Sequence, residues 1–383
     1  MKGFELSRKL KKLPPYLFAA IDRKKNQLRA RGIRLIDLSI GDPDIVTPGA
    51  VVSALYTQAK IKSNQQYALD AGKLSLRGAI KRWMKKRFSV NLSEYDEILP
   101  LIGSKEGLVH FPLAFVNRGE YILIPSPAYP AYQSAAILAG ANIYEVPLLE
   151  KNDFLPELDK IPLRIRNKTA LLYLNYPNNP TTVFAPRKFL GKLVKFCSKY
   201  GIIIAYDNAY SEIYFDRKPL SILQVPGAKE IALEFHSLSK TFCMTGFRIG
   251  WACGNKSLIQ GLLKLKTNID SGIFGAIQDA GAYALEKQTA YIAHIREVIK
   301  QRRDVFVAGL KNKGFTHIYS QGTFYVWVKI APAHASSIDF THYLLRKGVV
   351  ATPGLGFGRY GEGFIRFALT VDKENLKEAL QLI

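Results

Sequence analysis

Cysteine is scarce in this chain: 383 residues hold only Cys197, Cys243 and Cys253. The number is odd and the spacing is not that of metal ligands. That excludes a disulfide framework or a structural zinc site and suits a reducing cytosol. Long apolar runs are missing as well, since none reaches the roughly eighteen residues of a membrane span. Behind the basic N-terminus there is no apolar stretch, so no cleaved presequence is expected. Repeats and low-complexity segments are absent.

Acidic residues are few: 31 Asp and Glu stand against 54 Lys and Arg, for a formal net charge of +23. Such an excess invites a nucleic-acid partner, and Lys81-Arg82-Trp83-Met84-Lys85-Lys86-Arg87 is the densest patch. The cations are spread along the whole chain, however, with no zinc finger, RNA-binding signature or basic zipper beside them. The patch therefore reads as the solvated face of a helix with Trp83 and Phe88 turned inward. No nucleic-acid or membrane partner is expected. What remains is 48% hydrophobic residues, enough for a soluble globular protein of two lobes.

Through the middle of the chain, short β-branched runs alternate with helical patterns, which predicts an α/β fold with a mostly parallel sheet. Strands are expected at 98–102, 121–124, 143–146, 169–174, 202–206, 231–235 and 249–253. An amphipathic helix is expected over 189–200, with Phe189, Leu190, Leu193, Val194 and Phe196 inward. From about residue 286 the pattern changes to a long helix, 291–310, followed by strand-like 324–328 and 364–369. Polar motifs sit just after the strands, and the ligand crevice of an open α/β sheet lies at those ends.

Lys240 is the most informative of these residues. It stands in Ser237-Leu238-Ser239-Lys240-Thr241, after the run 231–235 and eight residues before Arg248. An amine that can form a Schiff base, beside hydroxyls and a guanidinium that can hold a phosphate, is what a pyridoxal phosphate site requires. Four further motifs accompany it: Gly103-Ser104-Lys105-Glu106-Gly107, Pro125-Ser126-Pro127-Ala128-Tyr129-Pro130, Asn175-Tyr176-Pro177-Asn178-Asn179-Pro180-Thr181 and Asp207-Asn208-Ala209-Tyr210. Arg366 follows in Gly363-Phe364-Ile365-Arg366-Phe367.

In order and spacing, these segments resemble the class I aminotransferases, the pyridoxal phosphate family related to aspartate aminotransferase. The resemblance implies a fold type I α/β architecture. A large cofactor domain would span 46–285, and a smaller α+β domain would form from 1–45 and 286–383. It also implies a role for each motif. Asp207 would keep the pyridine nitrogen protonated, Tyr210 and Asn179 would reach the ring hydroxyl, and Tyr129 would lie flat on the ring. Ser104, the Lys105 backbone, Ser237, Ser239 and Arg248 would hold the phosphate, joined by Tyr67 from the second subunit of a homodimer. Arg366 would clamp the substrate α-carboxylate, and Gly41, in Ile40-Gly41-Asp42-Pro43, would close over it. Gly354-Leu355-Gly356-Phe357-Gly358 lacks a dinucleotide loop's spacing and reads as a small-domain loop.

Two motifs depart from the family. Thr182 replaces the glycine of Asn-Pro-Thr-Gly, and Phe242-Cys243 replaces the usual Tyr-Asn. Three segments, at 12–18, 103–107 and 268–274, look like the LL-diaminopimelate aminotransferases. On that resemblance Tyr16, Lys105 and Asn268 place the far end of a long substrate. Packing, a solvated side chain and a turn cap are their plain alternatives. The expected reaction moves an amino group between an amino acid and a 2-oxo acid. A broad aspartate, alanine or aromatic aminotransferase and a β-lyase remain alternatives. A DNA-binding regulator would need a further helix-turn-helix, for which there is no room before residues 35–41.

Overall fold

The computed structural model describes residues 4–14, 24–68, 70–331 and 334–383. After a two-residue strand, β1 (Ile36–Asp37), come the seven strands of the main sheet. They are β2 (Ile98–Leu101), β3 (Tyr121–Ser126), β4 (Asn142–Pro147), β5 (Thr169–Asn175), β6 (Ile203–Asp207), β7 (Ala232–Ser237) and β8 (Gly250–Gly254). Their order in the sheet is β2-β8-β7-β6-β5-β3-β4. All run parallel except β8, which is antiparallel to both β2 and β7. Several strands continue past the apolar run that announces them, onto Ser126, Asn175, Asp207 and Ser237. Those polar side chains are thereby fixed by the backbone ladder rather than by loops.

Alternate residues feed two cores, as the two-residue side-chain period requires. Leu171, Tyr173, Ala205 and Phe235 pack on one side of the sheet. Leu172, Leu174, Ile204 and Tyr206 pack on the other. With both faces covered, a parallel sheet is the stable arrangement. The helix Arg187–Tyr200 buries Leu190, Leu193, Val194 and Cys197. Phe189 and Phe196, expected to face inward, flank that stripe and are half-buried, because Cys197 continues the three-and-four spacing.

The basic patch lies on the helix Leu74–Phe88, with Trp83 and Phe88 buried as expected. Arg87 corrects the reading of a wholly solvated face. Its guanidinium turns in to Glu212 at 2.9 Å and donates to the Ser211 carbonyl at 3.2 Å.

The chain beyond the main sheet supplies β9 (Ile318–Tyr319), β10 (Tyr325–Lys329), β11 (Val349–Val350), β12 (Thr352–Pro353) and β13 (Phe364–Ala368). Four of them form an antiparallel sheet in the order β12-β13-β10-β9, while β1 pairs with β11. The 24-residue helix Thr289–Asn312 contributes Ile295, Ile299 and Phe306 to one core with Val326, Val328, Ile365 and Phe367. Gly354–Phe357 forms a short 3-10 turn, not the start of a βαβ unit. Among the described residues, no helix is long and apolar enough to cross a membrane.

Candidate active site

The carboxyl ends of β2, β3, β5, β6 and β7 meet at one edge of the sheet, and the chain leaving each carries a polar motif. Arg248 arrives there by another route. It precedes β8, and because β8 alone runs the opposite way, its amino end lies at the same edge, with Gly250 paired to Ser237. Residues at the edge of the main sheet and on the four-stranded sheet line a cavity of about 620 Å³. Its lining includes Gly41, Ser104, Lys105, Tyr129, Asn179, Asp207, Tyr210, Ser237, Ser239, Lys240, Arg248 and Arg366.

Lys240 sits in the short helix Leu238–Thr241, whose first turn is capped by the Ser237 hydroxyl accepting from Ser239 N. Its ammonium donates to the Gly41 carbonyl at 2.9 Å and lies 5.3 Å from the centre of the Phe324 ring. Burial lowers its pKa to about 8, with Arg248 and Arg366 adding to the drop and Asp42 opposing it. A lysine so placed exchanges its proton close to neutrality.

Asp207, the last residue of β6, is buried between Asn175 and Phe235 in register. Burial raises its carboxyl to about 6, against a hydrogen bond from Tyr132 Oη at 2.7 Å that holds it down. Tyr132 is itself stacked on Tyr173, with 4.6 Å between ring centres. Tyr210 Oη lies 3.1 Å from Tyr325 Oη.

Arg366 is buried in β13. Nη1 donates to Asn179 Oδ1 and Nη2 to the Ser39 carbonyl, each at 2.8 Å. The rings of Tyr325 and Phe357 hold the guanidinium at 4.0 and 4.7 Å. At Gly41 a Cβ would collide with Tyr325 Oη, so any side chain there would have to displace that hydroxyl.

The remaining donors cluster where the twelve-residue helix Ser104–Phe115 begins. Gly103 turns the chain with a left-handed φ of 74°, and a Cβ there would stand 2.5 Å from Arg248 Nη2. A Cβ on Gly250 would lie 2.8 Å from Ser104 N. Backbone thus approaches backbone beside a helix start, two serines and an arginine, a donor set that suits a phosphate.

The family of class I and II aminotransferases matches residues 33–383. This chain belongs to that family. It is an aminotransferase. The LL-diaminopimelate aminotransferase of Aquifex aeolicus is 49% identical over 99% of this chain and 98% of its own length. That of Nitratidesulfovibrio vulgaris (strain DP4) is 47% identical over 100% of this chain and 99% of its own. Among solved structures, substrate-bound BacF from Bacillus subtilis superposes with a TM-score of 0.96 at 33% identity, covering 99% of this chain and 97% of that one. The aspartate aminotransferase of Thermus thermophilus with maleate gives 0.92 at 28% identity, covering 100% and 99%.

Two of the expected residues that the structure describes do not line this chain's cavity. Tyr67 is exposed, and so is Asn268, whose amide donates to the Lys264 carbonyl at 2.8 Å. Tyr16 lies outside the described residues. Conversely, residues that the sequence reading passed over contact the expected site residues in the aminotransferase. Tyr132 and Tyr325 are buried, and nothing local in the sequence distinguishes them from other aromatics. Asn175 stood inside a motif already noted, and its amide donates to the Asp207 carbonyl at 2.8 Å. Ser39, two residues before Gly41, carries no local signal of its role.

The departures are also accounted for. Thr182 takes the left-handed conformation natural to the glycine it replaces, with φ 67°, and Cys243, in place of asparagine, is also left-handed with φ 56°. Thr182 Oγ1 accepts from Gln321 N at 3.2 Å, and Cys243 is a buried thiol pushed up to about 12 by burial.

Proposed function

We propose that this aminotransferase uses pyridoxal phosphate to move the amino group of LL-diaminopimelate to 2-oxoglutarate, in the cytoplasm and as a homodimer. One observation carries the chemistry: the Lys240 amine, the buried Asp207 carboxyl and the Arg366 guanidinium line one cavity. The substrate rests on the LL-diaminopimelate aminotransferases that match over nearly their whole length. The expected division, 46–285 against 1–45 with 286–383, is kept in this reading, with the site between the two sheets. Three buried free thiols suit the cytoplasm.

The donor set fits the cofactor. Ser104, the Lys105 backbone, Ser237, Ser239 and Arg248 would hold its phosphate, with Tyr67 added by the partner subunit. Asp207 would hold the ring nitrogen, Asn179 and Tyr210 the ring hydroxyl, and Tyr129 the ring face. Once bound, pyridoxal phosphate would supply a sink for the electron pair left at the substrate Cα and a carbonyl carbon to carry the amino group.

The chain's own part is positioning and proton transfer. Arg366, whose guanidinium lies over two rings, meets the α-carboxylate with two parallel N–H groups, and Gly41 leaves room for the backbone to close over it. Lys240 Nζ takes the Cα proton, a task suited to an amine whose pKa burial has brought near 8. Asp207, when ionised, stabilises positive charge in a site that water cannot screen. Tyr16, Lys105 and Asn268 are assigned to the far end of the long donor.

The test is direct. Purified enzyme is given LL-diaminopimelate, aspartate, alanine or phenylalanine with 2-oxoglutarate, and kcat/KM is compared. LL-diaminopimelate should be preferred, because polar groups built for a remote end are left unpaired by shorter donors. A clear preference for aspartate or an aromatic donor would place the enzyme with the broad-specificity aminotransferases.

A further inference from the structure

Among the described residues, Lys266 is the one charged residue among the largest fully buried side chains, with none of its surface open to water. It ends the helix Lys256–Lys266, where a cation suits the helix dipole. Its ammonium meets Asp270 Oδ1 at 2.7 Å and Glu106 Oε2 at 3.3 Å. Burying an ammonium this deeply is costly, so a lysine here needs both carboxylates.

The two carboxylates belong to different working segments. Glu106 lies in the first turn of Ser104–Phe115, and its Oε2 also accepts from Ile102 N at 2.8 Å, fixing the path through Gly103 and Ser104. Asp270 Oδ1 also accepts from Gly272 N at 2.8 Å, shaping the turn that follows Asn268. The Lys266 carbonyl accepts from Ile269 N at 2.9 Å and Asp270 N at 3.0 Å. His110 Nδ1 lies 3.2 Å from Glu106 Oε1. Glu106, His110 and Asp270 lie close enough together to hold a metal ion, but the ammonium already bonds to both carboxylates.

We propose that Lys266 is a positioning residue for the donor site: its buried ammonium ties the Ser104–Lys105 turn to the 268–272 turn, so that the two keep one register. These are two of the three segments that resemble the LL-diaminopimelate enzymes. Lys105 lines this chain's cavity, while Asn268 faces outward. One ammonium therefore couples the cavity wall to the turn offered to a partner subunit. The inference rests on the assignment of Lys105 and Asn268 to the far end of the donor.

The experiment compares wild type with Lys266→Met, which keeps the length and removes the charge. Lys266→Arg serves as the conservative variant. Lys266→Met/Asp270→Asn is used if the lone methionine fails to fold against two carboxylates. Amide hydrogen exchange is followed in the holoenzyme over residues 101–107 and 268–274. Both segments should exchange faster in the methionine variants, and Lys266→Arg should restore part of the protection. KM for LL-diaminopimelate should rise by about tenfold, with kcat and the KM for alanine changing by less than about twofold. Exchange that rises in one segment alone, or a KM that rises equally for both donors, overturns the coupling. A wild-type enzyme with no preference for the long donor refutes the substrate reading instead, and exchange in the two segments then decides the inference by itself.

Discussion

Arg366 and Asn179 stand 187 residues apart, yet Nη1 of the one donates to Oδ1 of the other at 2.8 Å. The bond ties the small sheet to the loop after β5, and the guanidinium lies over the rings of Tyr325 and Phe357 at 4.0 and 4.7 Å. A lysine at this position would supply charge without the planar fork. Arg366→Lys should cost roughly 2–3 kcal/mol in kcat/KM for amino acids while leaving the absorbance of bound cofactor unchanged. Unchanged kinetics would move the carboxylate clamp elsewhere.

Asp207 makes the stability of the apoprotein depend on acid. Its pKa is raised from 3.8 to about 6 on folding, so between those values the folded chain holds a proton that the unfolded chain has lost. The contribution is full below 3.8 and is lost as the pH rises through 6, on the order of 3 kcal/mol in all. The difference in Tm between wild type and Asp207→Asn should therefore shift against wild type from pH 4 to pH 6. Tyr132→Phe removes a bond to the ionised form and should carry that transition above pH 6. A pH-independent difference would place the Asp207 carboxyl in water.

Lys240 should react as an unusually acidic lysine. In apoprotein, acylation of Lys240 should reach half its maximum near pH 8, against about 10.4 for an ordinary lysine. Borohydride treatment of the holoenzyme should fix the cofactor to the Lys240 peptide, and Lys240→Ala should fold but lose transamination by several orders of magnitude. Recovery of the label on another lysine would displace Lys240 from its role.

Thr182 carries a β-branched side chain at φ 67°. Alanine there loses the bond to Gln321 N and keeps the Cβ clash, whereas glycine loses the bond and relieves the clash. Thr182→Gly should exceed Thr182→Ala in stability by about 1 kcal/mol in urea melts. The opposite ranking would mean that this turn is not left-handed in solution.

Tyr67 and Asn268 should act across a dimer. Lys240→Ala protein and Tyr67→Ala/Asn268→Ala protein should each be nearly inactive, and their mixture should regain part of the activity after subunit exchange. One site of the mixed dimer then carries neither defect. Exchange proven by mass with no activity would rule out a shared site.

The strands were legible because short β-branched runs buried on both faces have few other uses. The motif residues were legible because each stands where such a run ends. Lys240 and Asp207 could be picked out for that reason, and Arg366, inside a strand, by resemblance to a family whose chemistry needs an amine, an acid and a guanidinium. Arg248 was found by resemblance too, but the reason it reaches the site was hidden. Strand direction is settled by which neighbour pairs with β8, and no local pattern encodes it.

The sequence by itself determined the periodicities, the turn positions and the reacting groups, since each depends on residues a few positions apart. Tertiary structure alone decided which side chains stand behind them. Tyr132 under Asp207, Tyr325 against Gly41 and Arg366, and Lys266 between Glu106 and Asp270 all join segments far apart in the chain. A buried tyrosine reads as packing and a helical lysine as solvated until the partner is in place. Burial and pairing belong to the folded chain as a whole, and they set the pKa of Asp207 and the cost of every charge in the site.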